Sequence, residues 1–378
     1  MRNSRMRNSD TAGGMAVRLR DRFVQCFQGV PGVRPPFLHV FGPMKQTAQR
    51  WLGEGMRDEQ EWFREVGFEG EPGKQFGNRL AVNGFVCPPF KQEVFSDDGR
   101  YRVMRNSWGA VVRVPCDGSV MAYLIEGPVK DARSWEAMKE RLRPDTPERF
   151  PANWGEMKGQ FEAADAPSWV GGLPCGFFGA PRELFGLENL LTNFHDHPRL
   201  MHDVMDTLCD LWCAVFSRVA RETRVDFMFV WEDMCYRNGP LISPRHFREF
   251  MLPRYKRLTA TLRQAGIPLM LVDTDGNFDQ LIPLFIEGGI DFAIPFEVQS
   301  GMDIRQIRRE FPTFGLCGGV EKSIPTKCAA EQDAELAKIA SVLKTGRFLP
   351  HSDHGVPPHV PYRQYVEFYR GLGKLMES

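Results

Sequence analysis

Carboxylates and imidazoles recur where apolar runs end in this sequence. Glu232 and Asp233 follow Asp226 to Trp231, Asp273, Thr274 and Asp275 follow Ile267 to Val272, and Glu297 and Gln299 follow Phe292 to Phe296. His351, Ser352, Asp353 and His354 close the run that begins at Arg347. A carboxyl at the mouth of a buried strand loses solvation, which raises its pKa and fits it for general acid or base work. On that ground Glu232 and Asp233 are candidate catalytic groups. Asp273 and Asp275 stand two apart, so on an extended strand end they point the same way, as two metal ligands or a proton-sharing pair would. His354 lies beside Gly355 and before Pro357 and Pro358, in a stiff loop suited to presenting an imidazole as ligand or general acid. Arg182 opens a helix after Gly179-Ala-Pro181, where free peptide N–H groups would add to its charge in holding an anion. Glu297 is a candidate substrate-binding group.

Each candidate has a plainer alternative. Glu232 and Asp233 could cap a helix or meet a surface base, Asp275-Gly276-Asn277 is a good turn, and Glu297 could brace Arg305. Lone loop histidines are commonly just solvated. His195, His197 and His202 match the solvated start of a helix better than a metal site. Cys209 and Cys213, four apart on one helical face, suit a core, and Cys317 suits a buried inert thiol.

The elements that position these groups follow a regular order. Strand-like runs at 169–173, 226–231, 268–272, 292–296, 313–317 and 347–351 alternate with helix-like stretches near 181–192, 198–223, 244–264, 278–287, 303–310, 328–344 and 361–375. Apolar runs without in-out alternation suit strands buried on both faces, and the helices between them supply parallel crossovers. Pro36 to Phe41 is a further apolar run and is expected to be the first strand, with an eighth hidden in an irregular stretch. Short β-rich runs at 101–104, 110–114 and 120–125 predict an antiparallel insertion near residues 95–127. The expectation is an α/β chain with a single distorted (β/α)8 TIM barrel over residues 15–378, after a disordered tail at 1–14. A barrel puts its chemistry at the C-terminal ends of the strands, where the groups above fall. The competing arrangement is a two-domain open sheet divided near residue 165, without any glycine-rich nucleotide loop to support it.

Lys plus Arg and Asp plus Glu each number 48, so no global field favours nucleic acid or an anionic membrane, and a small-molecule substrate is expected. Hydrophobic residues at 42% and charged residues at 25% are ordinary globular values. No apolar run approaches the roughly 20 residues needed to span a bilayer. The polar N-terminus has no apolar signal core, and the nine cysteines contain no CxxC pair, so reduced thiols and a cytoplasmic location are expected. Whether the chain forms an oligomer is left open.

The segment VDTDGNFDQLIPLFIEGGIDFAIPFEVQSGMDIRQIRREFPTFGLCGGVEK resembles the signature region of uroporphyrinogen decarboxylase and its relatives. GFFGAPREL at 176–184, GPLISPRHFREFMLPRYKRL at 239–258 and SDHGVPPHVPY at 352–362 fit the same template in the same order, so the likeness covers roughly residues 16–375. The resemblance implies a (β/α)8 barrel with its pocket at the strand C-termini. It also implies one of two chemistries, cofactor-free decarboxylation of porphyrinogen acetates or methyl transfer involving corrinoid proteins and a bound zinc. This chain departs from both patterns. The arginine-rich stretch after the first strand reads Phe41-Gly-Pro-Met-Lys-Gln, with Lys45 its one basic residue. The His-x-Cys zinc motif aligns with Asp273 and Asp275, and the third ligand falls near His354, giving oxygen donors and one imidazole in place of thiolates.

The sequence therefore predicts a methyltransferase moving a methyl group between a small methylated compound and a corrinoid protein. Glu232, Asp233, Asp275 and His354 would be catalytic, Arg182 and Glu297 would bind substrate, and a divalent ion such as zinc would sit on Asp273, Asp275 and His354. The alternatives are a cofactor-free decarboxylase of uroporphyrinogen or a smaller acid, and a non-catalytic binding protein on the same fold.

Overall fold

The computed structural model describes residues 17–74, 76–118 and 122–377, so the tail expected at 1–14 lies outside the described residues. In chain order the strands are β1 (Asn78–Arg79), β2 (Glu93–Asp97), β3 (Tyr101–Arg105), β4 (Val111–Pro115), β5 (Tyr123–Glu126), β6 (Ser168–Gly171) and β7 (Phe227–Trp231). They continue with β8 (Cys235–Tyr236), β9 (Gly239–Pro240), β10 (Leu269–Asp273), β11 (Phe292–Ile294), β12 (Gly315–Val320) and β13 (Phe348–Ser352). Seven of them form one sheet in the order β1-β6-β7-β10-β11-β12-β13, with every neighbouring pair parallel. Strands β2 to β5 form a separate four-stranded antiparallel sheet at the place the insertion was expected.

The long strands carry apolar residues on both faces because both faces are covered. One face contributes Phe227, Phe229, Trp231, Leu269, Leu271, Phe292, Ile294, Cys317 and Leu349 to a single buried cluster. The other contributes Met228, Val230, Met270, Val272, Ala293 and Leu316 to the larger core beneath the crossover helices. The helix Leu19–Gln28 closes the first cluster at the starts of the strands: Phe27 stacks on Phe292 at 3.9 Å between ring centres, and Phe23 lies 5.3 Å from Phe227. Arg20 of this helix is fully buried against Asp226, with Nη2 to Oδ2 at 2.7 Å, and the same oxygen accepts the Ser168 N–H at 2.8 Å. The clasp ties the helix to the first residue of β6 and to the residue before β7.

Two features differ from the expectation of a closed eight-stranded barrel. The parallel sheet is a seven-stranded half-barrel, and among the described residues β1 and β13 remain its unpaired edges. The run at 36–41 is buried from Pro36 to Val40 and partly exposed at Phe41, but it is not a strand. Pro35 and Pro36 have no N–H to give a ladder. Phe37 then exchanges its backbone bonds with Glu69, its N–H donating to the Glu69 carboxylate at 2.7 Å and its carbonyl accepting the Glu69 N–H at 2.8 Å. Leu38 and Val40 still join the strand cluster, and the run makes one parallel bridge further on, Pro43 to Val356. Among the described residues no helix is long and apolar enough to cross a membrane.

Candidate active site

Parallel strands end together, so the loops after β6, β7, β10, β11, β12 and β13 meet at one edge of the sheet. The polar residues expected to act sit in those loops, and their surroundings separate them into anchors and free groups.

Glu232 is an anchor. Its side chain has no solvent exposure, and its oxygens accept the N–H groups of Phe177 (2.9 Å), Phe178 (2.6 Å) and Gly179 (3.1 Å) and the Tyr255 hydroxyl. Burial pushes its pKa up to about 7, against these four donors, which all favour the charged form. The peptide N–H groups expected to help Arg182 hold an anion are thus taken by Glu232. The loop is pressed so close to β7 that a Cβ on Gly176 would lie 1.9 Å from the Trp231 carbonyl oxygen. Asp353 is a second anchor, fully buried, accepting the N–H groups of Val298 and Lys322 at 2.9 Å each. Burial raises its pKa to about 6.

Asp233 is different. Its backbone is left-handed, with φ 42°, a conformation that costs a non-glycine residue about 1–3 kcal/mol and concentrates at functional sites. Burial, then the nearby Asp275 carboxylate, raise its pKa to about 6, while Arg182 pulls the other way. Arg182 lies over the Trp231 ring at 5.0 Å, donates to the Asp233 carbonyl at 2.9 Å and brings Nη2 within 3.8 Å of the Asp233 carboxylate.

Asp273 ends β10 level with Trp231 of β7. Burial holds its carboxyl well above the usual range, and the Asp233 and Asp275 carboxylates reinforce the shift. Asp275, two residues on, is partly exposed and sits 3.8 Å from His354 Nε2, beyond hydrogen-bond length but within ion-pair range. Asp275 raises the His354 pKa against the effect of burial. The imidazole is stacked on Phe41 at 5.2 Å, and its Nδ1 accepts the Gly355 N–H at 2.7 Å. A neutral ring in this setting carries its proton on Nε2, facing the carboxylates. Glu297 accepts the Gly276 N–H at 2.9 Å and the Ser300 hydroxyl at 3.1 Å, with Lys322 Nζ 3.9 Å away. Gly276 has φ 78°, and a Cβ there would meet the Tyr236 carbonyl at 2.8 Å, so the turn after Asp275 requires glycine.

Asp233, Asp273, Asp275 and His354 therefore converge, Glu297 joins them, and Glu232 faces away into its cradle. Ligand atoms of Asp275, Glu297 and His354 all lie within 4.8 Å of one another. The metal trio expected from sequence was Asp273, Asp275 and His354, so Glu297 takes the place of Asp273 in this grouping. The set suits zinc poorly. Nε2 is the nitrogen that faces the carboxylates, and coordination through it would need the ring to shed that proton while Nδ1 still accepts the Gly355 N–H. Glu297 already takes two donors and faces a lysine.

Other residues singled out in the sequence serve structure. His351 is buried, with its pKa pushed down to about 3, its Nδ1 2.6 Å from the Ser352 carbonyl and its Nε2 3.3 Å from the Cys317 sulfur. Cys209 and Cys213 are buried on one helix, as expected. Gln299 bonds Glu321, and the Thr274 hydroxyl accepts the Met234 N–H. His202 packs on Phe250 and contacts Arg254, and His195 packs on His246. A cavity of about 600 Å³ between the helices Glu61–Val66 and Tyr362–Glu377 is walled by helices, away from the strand ends.

Sequence reasoning missed Phe41 as the platform for His354 and Lys322 beside Glu297.

The pattern of the family described as Uroporphyrinogen decarboxylase (URO-D) matches residues 175–370, more than half of the chain. This protein belongs to that family. Its fold is similar to that of a methyltransferase from Methanosarcina mazei, with a TM-score of 0.62 at 13% identity, over 96% of this chain and 99% of that one. A protein described as a vitamin-B12 independent methionine synthase from Listeria monocytogenes aligns at 9% identity over 90% of this chain and 97% of its own, with a TM-score of 0.37, too low to carry an argument. No curated protein matches the chain.

Proposed function

We propose that this chain is a methyltransferase that moves a methyl group between a small methylated compound and a corrinoid protein. The observation that carries the reading is the proton-holding group at the strand ends: Asp273, whose pKa is raised by burial and by the Asp233 and Asp275 carboxylates, with the His354 ring close by, its Nε2 3.8 Å from Asp275. When a methyl group leaves an oxygen, nitrogen or sulfur, the heteroatom takes the bonding pair and becomes a far better leaving group if it is protonated in the same step. The corrinoid of the partner supplies the nucleophile. In this chain Asp273 holds the proton, Asp233 and Asp275 keep it there by charge repulsion, and His354 Nε2–H donates to the departing atom or returns the proton afterwards.

A polycarboxylate porphyrinogen would meet Asp233, Asp273, Asp275 and Glu297 at the strand ends, while Lys45, the basic residue after the first apolar run, is held by the Asp117 carbonyl at 2.6 Å. Decarboxylation of a smaller acid is the second reading, and the same proton donors favour it, since the carbanion left by carbon dioxide must be protonated. A non-catalytic binding role is disfavoured by the strained Asp233 and by the raised pKa of Asp273, which no hydrogen bond among the described residues offsets.

The test incubates the protein with cob(I)alamin and a series of methoxylated acids, methylated amines and methylated thiols, and separately with uroporphyrinogen. Methylcobalamin formation lost in Asp273→Asn supports the proposal. Coproporphyrinogen or carbon dioxide as product, lost in the same variant, replaces it with the decarboxylase reading.

A further inference from the structure

The turn that follows β7 is held by two different elements. Asp233 sits between Glu232, whose N–H donates to the Asp273 carbonyl at 2.9 Å, and Met234, whose N–H donates to the Thr274 hydroxyl at 3.2 Å. The end of β10 therefore holds the N–H groups on either side of the residue. Its carbonyl is held by another segment of the chain. Arg182 Nη1 donates to the Asp233 carbonyl at 2.9 Å, and among the described residues no other donor reaches that oxygen.

The helix that carries Arg182, Gly179–Phe185, is pressed onto Trp231: a Cβ on Gly179 would lie 2.2 Å from the Trp231 carbonyl oxygen and 2.5 Å from its ring. Glu232 pins the start of the same helix through the N–H groups of Phe178 and Gly179. One turn on, the Arg182 guanidinium lies over the Trp231 ring at 5.0 Å. From there it reaches Asp233 twice, with Nη1 on the carbonyl and Nη2 3.8 Å from the carboxylate. A guanidinium is a rigid planar fork, so the backbone and the side chain of Asp233 are fixed relative to each other. The conformation so fixed is a strained one: φ is 42°, and a residue with a Cβ stays there only where its surroundings impose it. Glycine would adopt it freely but would lose the carboxyl, which lies near enough to Asp275 and His354 to feel both charges.

We infer that Arg182 is a positioning residue that acts through Asp233: it holds the Asp233 carbonyl, so that the residue keeps its left-handed backbone and its carboxyl stays at the strand ends. The sequence pointed to Arg182 as a group that binds substrate. With one nitrogen on a carbonyl and another beside a carboxylate, its fork is already engaged. The clamp is a property of the free protein, and only its effect on turnover rests on the methyltransferase reading.

Two measurements on the full chain test this. The first needs no substrate and compares crystal structures of Arg182→Met, alone and combined with Asp233→Gly. Asp233 is expected to leave the left-handed region in the single variant, whereas position 233 of the double variant keeps it, since glycine adopts it without being held. The second is methyl transfer to cob(I)alamin. Arg182→Met is expected to lose about ten-fold or more in kcat with KM within about three-fold of wild type, and Arg182→Lys, which can still donate to the carbonyl, to recover most of the loss. Added to Asp233→Asn, the same change is expected to cost less than about two-fold further, because two residues that act as one unit are not additive. Arg182→Ala takes the place of Arg182→Met if the latter does not fold. The inference is overturned if Asp233 keeps its left-handed backbone in Arg182→Met, if the loss falls on KM, or if the losses multiply in the variant that also carries Asp233→Asn. A turned Asp233 in a protein that forms no methylcobalamin would retain the clamp and discard methyl transfer. Methyl transfer with the left-handed backbone intact in Arg182→Met would do the reverse.

Discussion

Replacing Glu232 by glutamine distinguishes a chemical role from a positioning one. In wild type the carboxylate receives three peptide N–H groups and the Tyr255 hydroxyl in a site without solvent. Glutamine keeps one oxygen. Its better orientation leaves that oxygen with Phe178 and Gly179 and turns the NH2 toward Tyr255, whose hydroxyl can rotate to accept. The Phe177 N–H is then buried without a partner, at a cost of about 1–3 kcal/mol. The effect should depend on pH with a definite sign. The folded pKa of about 7 lies above the unfolded one, so the unfolded chain binds fewer protons across the window between them. Wild-type stability from this group is therefore full below the unfolded pKa and falls as pH rises toward 7, by up to about 3 kcal/mol. Glutamine has no such slope, so its cost is larger at pH 5 than at pH 8. Urea denaturation followed by tryptophan fluorescence at the two pH values measures this, with turnover in parallel expected to stay within about ten-fold of wild type for a group that touches no reacting atom. Unchanged stability at both pH values together with a loss of turnover near a thousand-fold would refute the reasoning and return Glu232 to the chemistry.

Other consequences are as direct. Asp233→Asn removes a carboxylate whose folded pKa of about 6 lies above its unfolded value, and should stabilise the protein by about 1–3 kcal/mol at pH 8 but not at pH 4, as measured by urea denaturation; equal effects at both pH values would contradict the assigned shift. Asp275→Asn should move the His354 titration to lower pH in an NMR experiment, because the carboxylate beside Nε2 is what raises it; an unmoved titration would remove Asp275 as the cause. Asp226→Asn should destabilise by about 3–5 kcal/mol in denaturation, since it leaves the fully buried Arg20 without its charge partner, and a change below about 1 kcal/mol would mean that the clasp is dispensable.

The parts of the fold visible in the sequence were those with an extended pattern. Runs such as Phe227 to Trp231 are apolar on both faces because one face meets the strand cluster and the other the helices. The run from Pro36 to Phe41 carries the same composition, yet Glu69 answers its backbone groups, a contact across 32 residues that no local pattern announces. The site was legible as a set of strand-end polar residues, and the division among them was not. Glu232 and Asp233 are adjacent in sequence and equal in type; one is enclosed by four donors from two distant segments, and the other is held in a strained backbone beside Asp275.

The central claim is that protonated groups at the strand ends assist a leaving group. It is tested most directly by the dependence of methyl transfer to cob(I)alamin on leaving-group basicity, measured along a series of substituted methoxybenzoates for wild type and Asp273→Asn. The account predicts a shallow dependence in wild type, where the enzyme supplies the proton, and a steep one in the variant, with the largest losses for the most basic leaving groups. Parallel slopes in the two proteins, or carbon dioxide in place of methylcobalamin, would contradict it.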